Sequence, residues 1–207
     1  MSDTMSVREL LLGKPGSRIP PFRILLAPCW DGLRPDDDGV GALRDAASAR
    51  LAAAHRPDLD ASVGAMLAQA RARLRRTSTF LVLHQVQDFD GFFAPMTISF
   101  TEHAAASGSL DEQVSAIVAK HGAEPLRGDV GMLRWTTDAS TAVGEGRVRT
   151  RTISYLTPVP GTERTRALLA VATILVADDA PDDHPLLVGS EQVADAMLAT
   201  FEWDVAA

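Results

Sequence analysis

The chain has 207 residues, of which 46% are hydrophobic and 23% charged, as in a folded globular protein with a sizeable core. Its 20 basic and 27 acidic residues give a formal net charge of -7, which disfavours a general nucleic-acid binder or a protein of anionic membrane surfaces. The lone Cys29 excludes an intrachain disulfide and a cysteine-rich zinc site, and a reducing cytoplasm is the expected compartment.

The first predicted segment is an irregular N-terminal arm over residues 1–19. Its only apolar cluster, Leu10 to Leu12, is shorter than the core of a signal peptide. No segment of the sequence reaches the roughly 18 apolar residues that cross a bilayer. We therefore expect one α+β domain over residues 1–207, located in the cytoplasm and not in a membrane.

A strand and two helices are predicted next. Residues 20–28 form a short apolar run bounded by prolines, which indicates a strand, and the polar turn "DGLRPDDDG" follows it. The alanine-rich residues 40 to about 55 favour a helix that Pro57 ends. A second helix begins at the N-cap Asp60 and runs to about Arg76.

The middle of the chain predicts a hairpin followed by a helix. Residues 79–87 and 95–103 have strand character, and the segment "DFDGFFA" connects them. The helix after residue 109 has a capping box of Ser109 and Glu112 and a stop at Gly122.

Three strands and a helix complete the predicted order. The strands are "DVGMLRWTT", "GRVRTRTISYL" and "TRALLAVATILVA", and the last is apolar on both faces, which predicts a central position. A helix is expected from Ser190 to the terminal tryptophan, Trp203. The fold class is therefore α+β, with a mainly antiparallel sheet of about six strands and helices packed over it.

Three segments, "PPFRILLAPCW", "RTISYLTPVPG" and "VADAMLATFEW", occur in an order that resembles a group of uncharacterised actinobacterial proteins. That group is similar to PsbP-like α/β sandwiches, and some of its members are encoded near type VII secretion genes. The resemblance implies a binding or assembly module and supplies no catalytic residues. The sequence departs from the group at "PCWDG" and in its bulky "GFF" segment.

Arginines occupy every second position in "RVRTRTISYL". Strand alternation places Arg147, Arg149 and Arg151 on one face, which continues with Ile153 and Tyr155. This arginine comb indicates a solvated or ion-paired strand face, or else a docking site for an acidic protein partner. Nucleic acid is disfavoured because Tyr155 is the one aromatic residue beside the comb that could stack on a base. We expect the fold to survive replacement of all three arginines by serine.

The hairpin segment "DFDGFFAP" carries Phe89, Phe92 and Phe93, three of the seven phenylalanines in the chain. These rings either cap the core or form an exposed anchor for another protein. We expect at least one of Phe92 and Phe93 to be substantially exposed.

No catalytic, cofactor or metal motif is predicted. The acidic turns "PDDDG" and "ADDAPDDHP" lack the regular spacing of calcium ligands, and the histidines form no HxH or HExxH pair. Cys29, between Pro28 and Trp30, fits a small buried residue better than a nucleophile.

Two functions fit these observations. The first is a non-enzymatic cytoplasmic module that binds a protein, such as a secretion-system component, through the phenylalanines and the arginine comb, with a homodimer left open. The alternative is a small-ligand or lipid-binding sandwich whose pocket, between sheet and helices, is lined by Trp30, Trp135 and Tyr155.

Overall fold

The computed structural model describes residues 19–204 apart from 54, 56–59, 106–108, 127–130 and 144–145. The predicted N-terminal arm, except its last residue, and Pro57 lie outside the described residues. The helices are α1 (Asp37–Ala53), α2 (Asp60–Arg76), α3 (Leu110–His121) and α4 (Pro185–Leu198). The strands are β1 (Phe22–Arg23), β2 (Trp30–Leu33), β3 (Thr79–Gln85), β4 (Met96–Ala104), β5 (Glu124–Pro125), β6 (Leu133–Val143), β7 (Gly146–Pro158), β8 (Arg166–Ala177) and β9 (Glu202–Trp203).

Seven strands form one antiparallel sheet in the order β2-β3-β4-β8-β7-β6-β5. β8 is the middle strand, as its apolar residues on both faces predict. A separate two-stranded ribbon joins β1 to β9. The α+β class with a mainly antiparallel sheet is confirmed, and the large sheet has seven strands where about six were expected.

The two faces of the sheet are covered by different helices. On the core face, buried residues such as Ile98, Phe100 and Tyr155 pack in one cluster with Leu187 and Leu198 of α4. On the opposite face, Leu110 of α3 packs with Leu156 and Ala167, and Trp135 lies at the margin of this smaller cluster. The alternation of buried and exposed residues along β4 produces this division, because successive side chains of a strand point to opposite faces.

The N-cap Ser109 and the stop at Gly122 agree with the sequence, although the Ser109 hydroxyl bonds the backbone of Asp111 rather than that of Glu112, its partner in the predicted capping box. The Ser109 hydroxyl accepts a hydrogen bond from the Asp111 backbone N–H at 3.1 Å. Gly122 ends the helix in the left-handed region at φ 62°, where a residue with a Cβ would be strained.

The first predicted strand is wrong in extent. Residues 20–28 contribute only Phe22–Arg23 to a ladder, because Pro20, Pro21 and Pro28 have no N–H to donate. The edge strand β2 instead occupies the start of the predicted polar turn, where Trp30 pairs opposite Gln85.

The last helix is also displaced from its predicted bounds. It begins at Pro185 rather than at Ser190, since a proline at the first helical position lacks only an N–H that has no partner in the helix. It ends at Leu198, and Trp203 lies in β9.

Candidate functional site

The β3–β4 connection is a tight turn with a defined backbone. Phe89 and Phe92 exchange backbone hydrogen bonds of 3.0 and 2.9 Å around Asp90 and Gly91. Both central residues have positive φ, 52° and 77°, which the Asp-Gly pair tolerates. The buried Gln85 amide donates to the Phe92 carbonyl at 3.0 Å and accepts from the Ala94 N–H at 2.7 Å. The turn is therefore held in place by a buried side chain of β3.

The phenylalanine rings of this turn have two different environments. Phe92 is half-buried and packs against the main core. A Cβ at Gly189 of α4 would lie 3.1 Å from the Phe92 ring, so the ring rests on bare helix backbone. Phe89 and Phe93 are 54% and 46% exposed. The prediction that at least one of Phe92 and Phe93 is exposed is confirmed, and Phe92 is the ring that caps the core.

An open groove of about 320 Å³ lies beside the turn. We call it the hairpin groove; its lining includes His84, Phe93, Pro95, Thr97, Thr173 and Leu175. Thr97 pairs across the sheet with both His84 and Thr173, so these three residues form a polar floor. Phe93 and Leu175, which is 50% exposed, supply apolar walls. No acidic, lysine or arginine residue lines this groove.

The arginine comb is paired within the molecule. Arg151 donates to both carboxylate oxygens of Asp138 at 2.9 Å, to Glu191 at 2.8 Å and to Asp182 at 2.9 Å. Arg149 donates to Asp138 at 3.2 Å and also contacts Asp182. The hydrogen bond from Arg151, reinforced by Arg149, lowers the pKa of Asp138.

The two remaining members of this face are paired differently. Arg147 donates to Asp178 at 3.3 Å and is 59% exposed. The buried Tyr155 hydroxyl donates to Asp195 at 2.6 Å, and Arg134 donates to the same oxygen at 2.8 Å. Burial and the hydrogen bond to Asp195 raise the pKa of Tyr155.

The acidic turn "ADDAPDDHP" supplies part of this network through Asp178 and Asp182. The sequence patterns of the turn and of the comb did not predict that the two segments are in contact. The sequence signal was the opposite charge of the two segments, but the contacts join residues 31 positions apart in sequence.

Trp30, Trp135 and Tyr155 do not line one cavity, which corrects the predicted pocket. Trp30 and Tyr155 belong to the main cluster on the core face, whereas Trp135 lies with the smaller cluster on the other face. Alternation along β6 and β7 produces the separation, because Trp135 pairs with Ser154 and Tyr155 pairs with Arg134.

Cys29 is half-buried, with a positive φ of 64°, and its Sγ accepts a hydrogen bond from Gln87 at 3.2 Å. Within the described ranges, no group of three or more His, Cys, Asp or Glu residues is placed to hold a metal ion. None of the described helices is long and apolar enough to cross a membrane.

No protein-family model matches the sequence, and no curated protein sequence matches it. Solved structures with some similarity include a Bacteroides thetaiotaomicron protein, with TM-score 0.41 and 7% identity over 89% of this chain and 45% of that chain. LpqN, involved in cell envelope biogenesis of Mycobacterium tuberculosis, has TM-score 0.39 and 10% identity over 95% of this chain and 96% of its own.

The Saccharomyces cerevisiae Ran-binding protein Mog1p has TM-score 0.36 and 9% identity over 61% of this chain and 79% of its own. The chain spans less than half the length of the B. thetaiotaomicron protein. Similarity at these scores carries no inference about activity or partners.

Proposed function

We propose that the protein is a non-enzymatic binding module whose hairpin groove, with Phe89 and Phe93, receives an uncharged apolar segment of a partner protein. The observation that carries this proposal is the exposure of two phenylalanine rings on a turn whose backbone is fixed. A lining without acidic, lysine or arginine residues favours an uncharged occupant over a charged one.

The energetics of such a contact are favourable. Burying a large apolar side chain contributes roughly 1.5–3 kcal/mol. The hydrogen bonds from Gln85 and across the turn hold the backbone before binding, so little conformational entropy is lost there on association. An aromatic residue at the centre of an interface is the kind of side chain that carries most of the binding energy.

The chemistry of the groove supports binding rather than catalysis. His84 lines it together with two threonines, but no carboxylate, cysteine or serine is among the lining residues. An acid, base and nucleophile set is therefore missing from this surface. The ligand-binding alternative stays a prediction; the filled space between α4 and the core face, where Tyr155, Leu187 and Leu198 are fully buried, does not support it.

The proposed class of partner rests on the resemblance described in the sequence analysis. The group of actinobacterial proteins with a PsbP-like sandwich, some encoded near type VII secretion genes, supports a secretion-system component as the partner. The lone cysteine supports a cytoplasmic location for the encounter.

The test is a double variant, Phe89→Ser with Phe93→Ser, compared with Leu25→Ser. Leu25 is 72% exposed, its backbone N–H donates to the Thr200 hydroxyl at 2.8 Å, and it is not among the residues that line the hairpin groove, so it is a matched control for loss of an exposed apolar side chain. A partner is captured from the native organism with the wild type, purified, and titrated against all three proteins by calorimetry.

We expect the double variant to weaken binding by at least about 100-fold, since two interface rings are removed. Leu25→Ser should bind like the wild type. The free energy of unfolding of the double variant should change by less than about 1 kcal/mol, because both rings are exposed. Equal affinity of the double variant and the wild type would refute the proposal.

A further inference from the structure

β6 is paired along one side and mostly unpaired along the other. β7 pairs with it from Leu133 to Val143, whereas β5 pairs with Leu133 and Arg134 only. Among the residues that the structure describes, no strand continues β5 along this side. The open edge covers residues 135–143, which at about 3.4 Å per residue is a length of about 30 Å.

The open side presents backbone hydrogen-bonding groups at alternate residues. On the β5 side, the Leu126 N–H donates to the Met132 carbonyl at 2.8 Å. Since outward and inward groups alternate along an antiparallel strand, the N–H and C=O groups of Thr136, Asp138 and Ser140 also turn outward. Such a row of groups is a template for a further strand.

Most of the features that usually block an edge strand are missing from residues 135–143. Residues 135–143 contain no proline and no lysine, and their register against β7 has no bulge. Their one charged residue, Asp138, is drawn over the core face by Arg149 and Arg151. The opposite edge strand, β2, has only four residues and is followed by α1.

Self-pairing of this edge about a twofold axis is restricted to a few registers. Centring on Asp138 would place two carboxylates directly opposite, which is destabilising. A twofold axis at Ser140 would shorten the ladder between the two copies to residues 137–143. Centring on Ala139 uses residues 135–143 and places Asp138 opposite Ser140, with Thr137 opposite Thr141 on the other face. The small Ala139 side chain then lies on the axis.

We propose that a second copy of this chain pairs antiparallel with the open edge of β6, centred on Ala139, and joins the two seven-stranded sheets into one. Two observations carry this proposal. In the described part of the chain, the side of β6 away from β7 is unpaired over residues 135–143, and the register centred on Ala139 makes this edge complementary to itself. The hairpin groove is lined by the β3–β4 turn and by residues of β3, β4 and β8, and none of its lining residues belongs to β6, so this dimer is independent of the proposed binding of another protein.

The first test is disulfide cross-linking in a Cys29→Ser background. In the proposed register, the two Ala139 residues form a non-hydrogen-bonded pair with Cα atoms about 4.5 Å apart, within the range of a disulfide. The two Thr141 residues are offset by four positions, or about 14 Å. Mild oxidation should therefore yield a covalent dimer from Ala139→Cys and none from Thr141→Cys.

The second test changes the backbone of the edge. Ser140→Pro removes an outward N–H and fills the place of the next strand, whereas Ser140→Ala keeps the backbone intact. By sedimentation equilibrium, the wild type and Ser140→Ala should have twice the 22.1 kDa mass of one chain. The dissociation constant of the Ser140→Pro dimer should be at least about tenfold higher than that of the wild-type dimer. Circular dichroism checks that each variant is folded.

Three results would overturn the proposal. One is a wild type that remains a monomer at all concentrations. Another is equal cross-linking of Ala139→Cys and Thr141→Cys. The third is a monomer that becomes a dimer when residues 1–18 are deleted, which would assign the edge to that segment of the same chain.

Discussion

Arg147, Arg149 and Arg151 share a strand face but not an environment. The side chain of Arg147 is 59% exposed and contacts one carboxylate, whereas that of Arg151 is 12% exposed and contacts three. The expectation that the fold survives replacement of all three by serine treats each as a surface residue whose loss costs less than about 0.5 kcal/mol. The structure corrects this for Arg151, because its loss leaves Asp138, Asp182 and Glu191 close together without their shared cation.

We predict that Arg151→Ser lowers the free energy of unfolding by about 1–2 kcal/mol, less than the 3–5 kcal/mol of a fully buried pair because Asp182 is exposed. Arg147→Ser should change it by less than about 0.5 kcal/mol. Urea unfolding of the two variants at neutral pH and low salt measures the difference. Equal midpoints would show that the network around Arg151 adds no stability.

The hairpin turn packs against α4, so these two elements form one structural unit. The turn reaches the helix through Phe92, whose ring lies on the backbone at Gly189, while Phe93 points into the groove. Adjacent residues thus face a core and a surface, as successive residues of an extended segment do. This arrangement separates stability from binding within one turn.

Alanine substitutions at the two positions should therefore have different effects. Phe92→Ala should lower the free energy of unfolding by about 1–3 kcal/mol, below the 3–5 kcal/mol of a fully buried phenylalanine, because the ring is half-buried. Phe93→Ala should change it by less than about 0.5 kcal/mol. Thermal unfolding compares the pair, and a larger loss of stability in Phe93→Ala would contradict the assignment of the two rings.

Over the chain as a whole, the fold follows from the sequence where the sequence signals are local. The two apolar faces of β8, the alternation in β4 and the caps of α3 are each set within one segment, and each is confirmed. β2 was not predicted, because four residues that include Asp31 and Gly32 show no alternation.

The network around Arg151 could not be predicted in the same way. Its partner Glu191 lies 40 positions away, on a helix whose placement depends on the packing of the entire core. Likewise, the open side of β6 follows from how far β5 extends, which no pattern within β6 records.

The paired carboxylates also set how the molecule responds to acid. Hydrogen bonds from Arg151 lower the folded-state pKa of Asp138, and those from Arg149 lower that of Asp182. A carboxylate with a lowered folded pKa stabilises the fold fully above its unfolded pKa, about 3.9. That stabilisation is lost as the pH falls through the folded value.

The acid response can be measured by comparing Asp138→Asn with Asp179→Asn. Asp179 is an exposed acid that has no ion pair among the described residues. At neutral pH, Asp138→Asn should be less stable than the wild type by about 1–2 kcal/mol, while Asp179→Asn should match it. Below about pH 3.9 the wild type should progressively lose this advantage and the curves should converge, because Asp138 becomes protonated as the pH falls through its lowered folded-state pKa. Urea unfolding from about pH 2 to pH 7 measures the three curves. A constant gap at every pH would mean that the charge of Asp138 does not stabilise the fold.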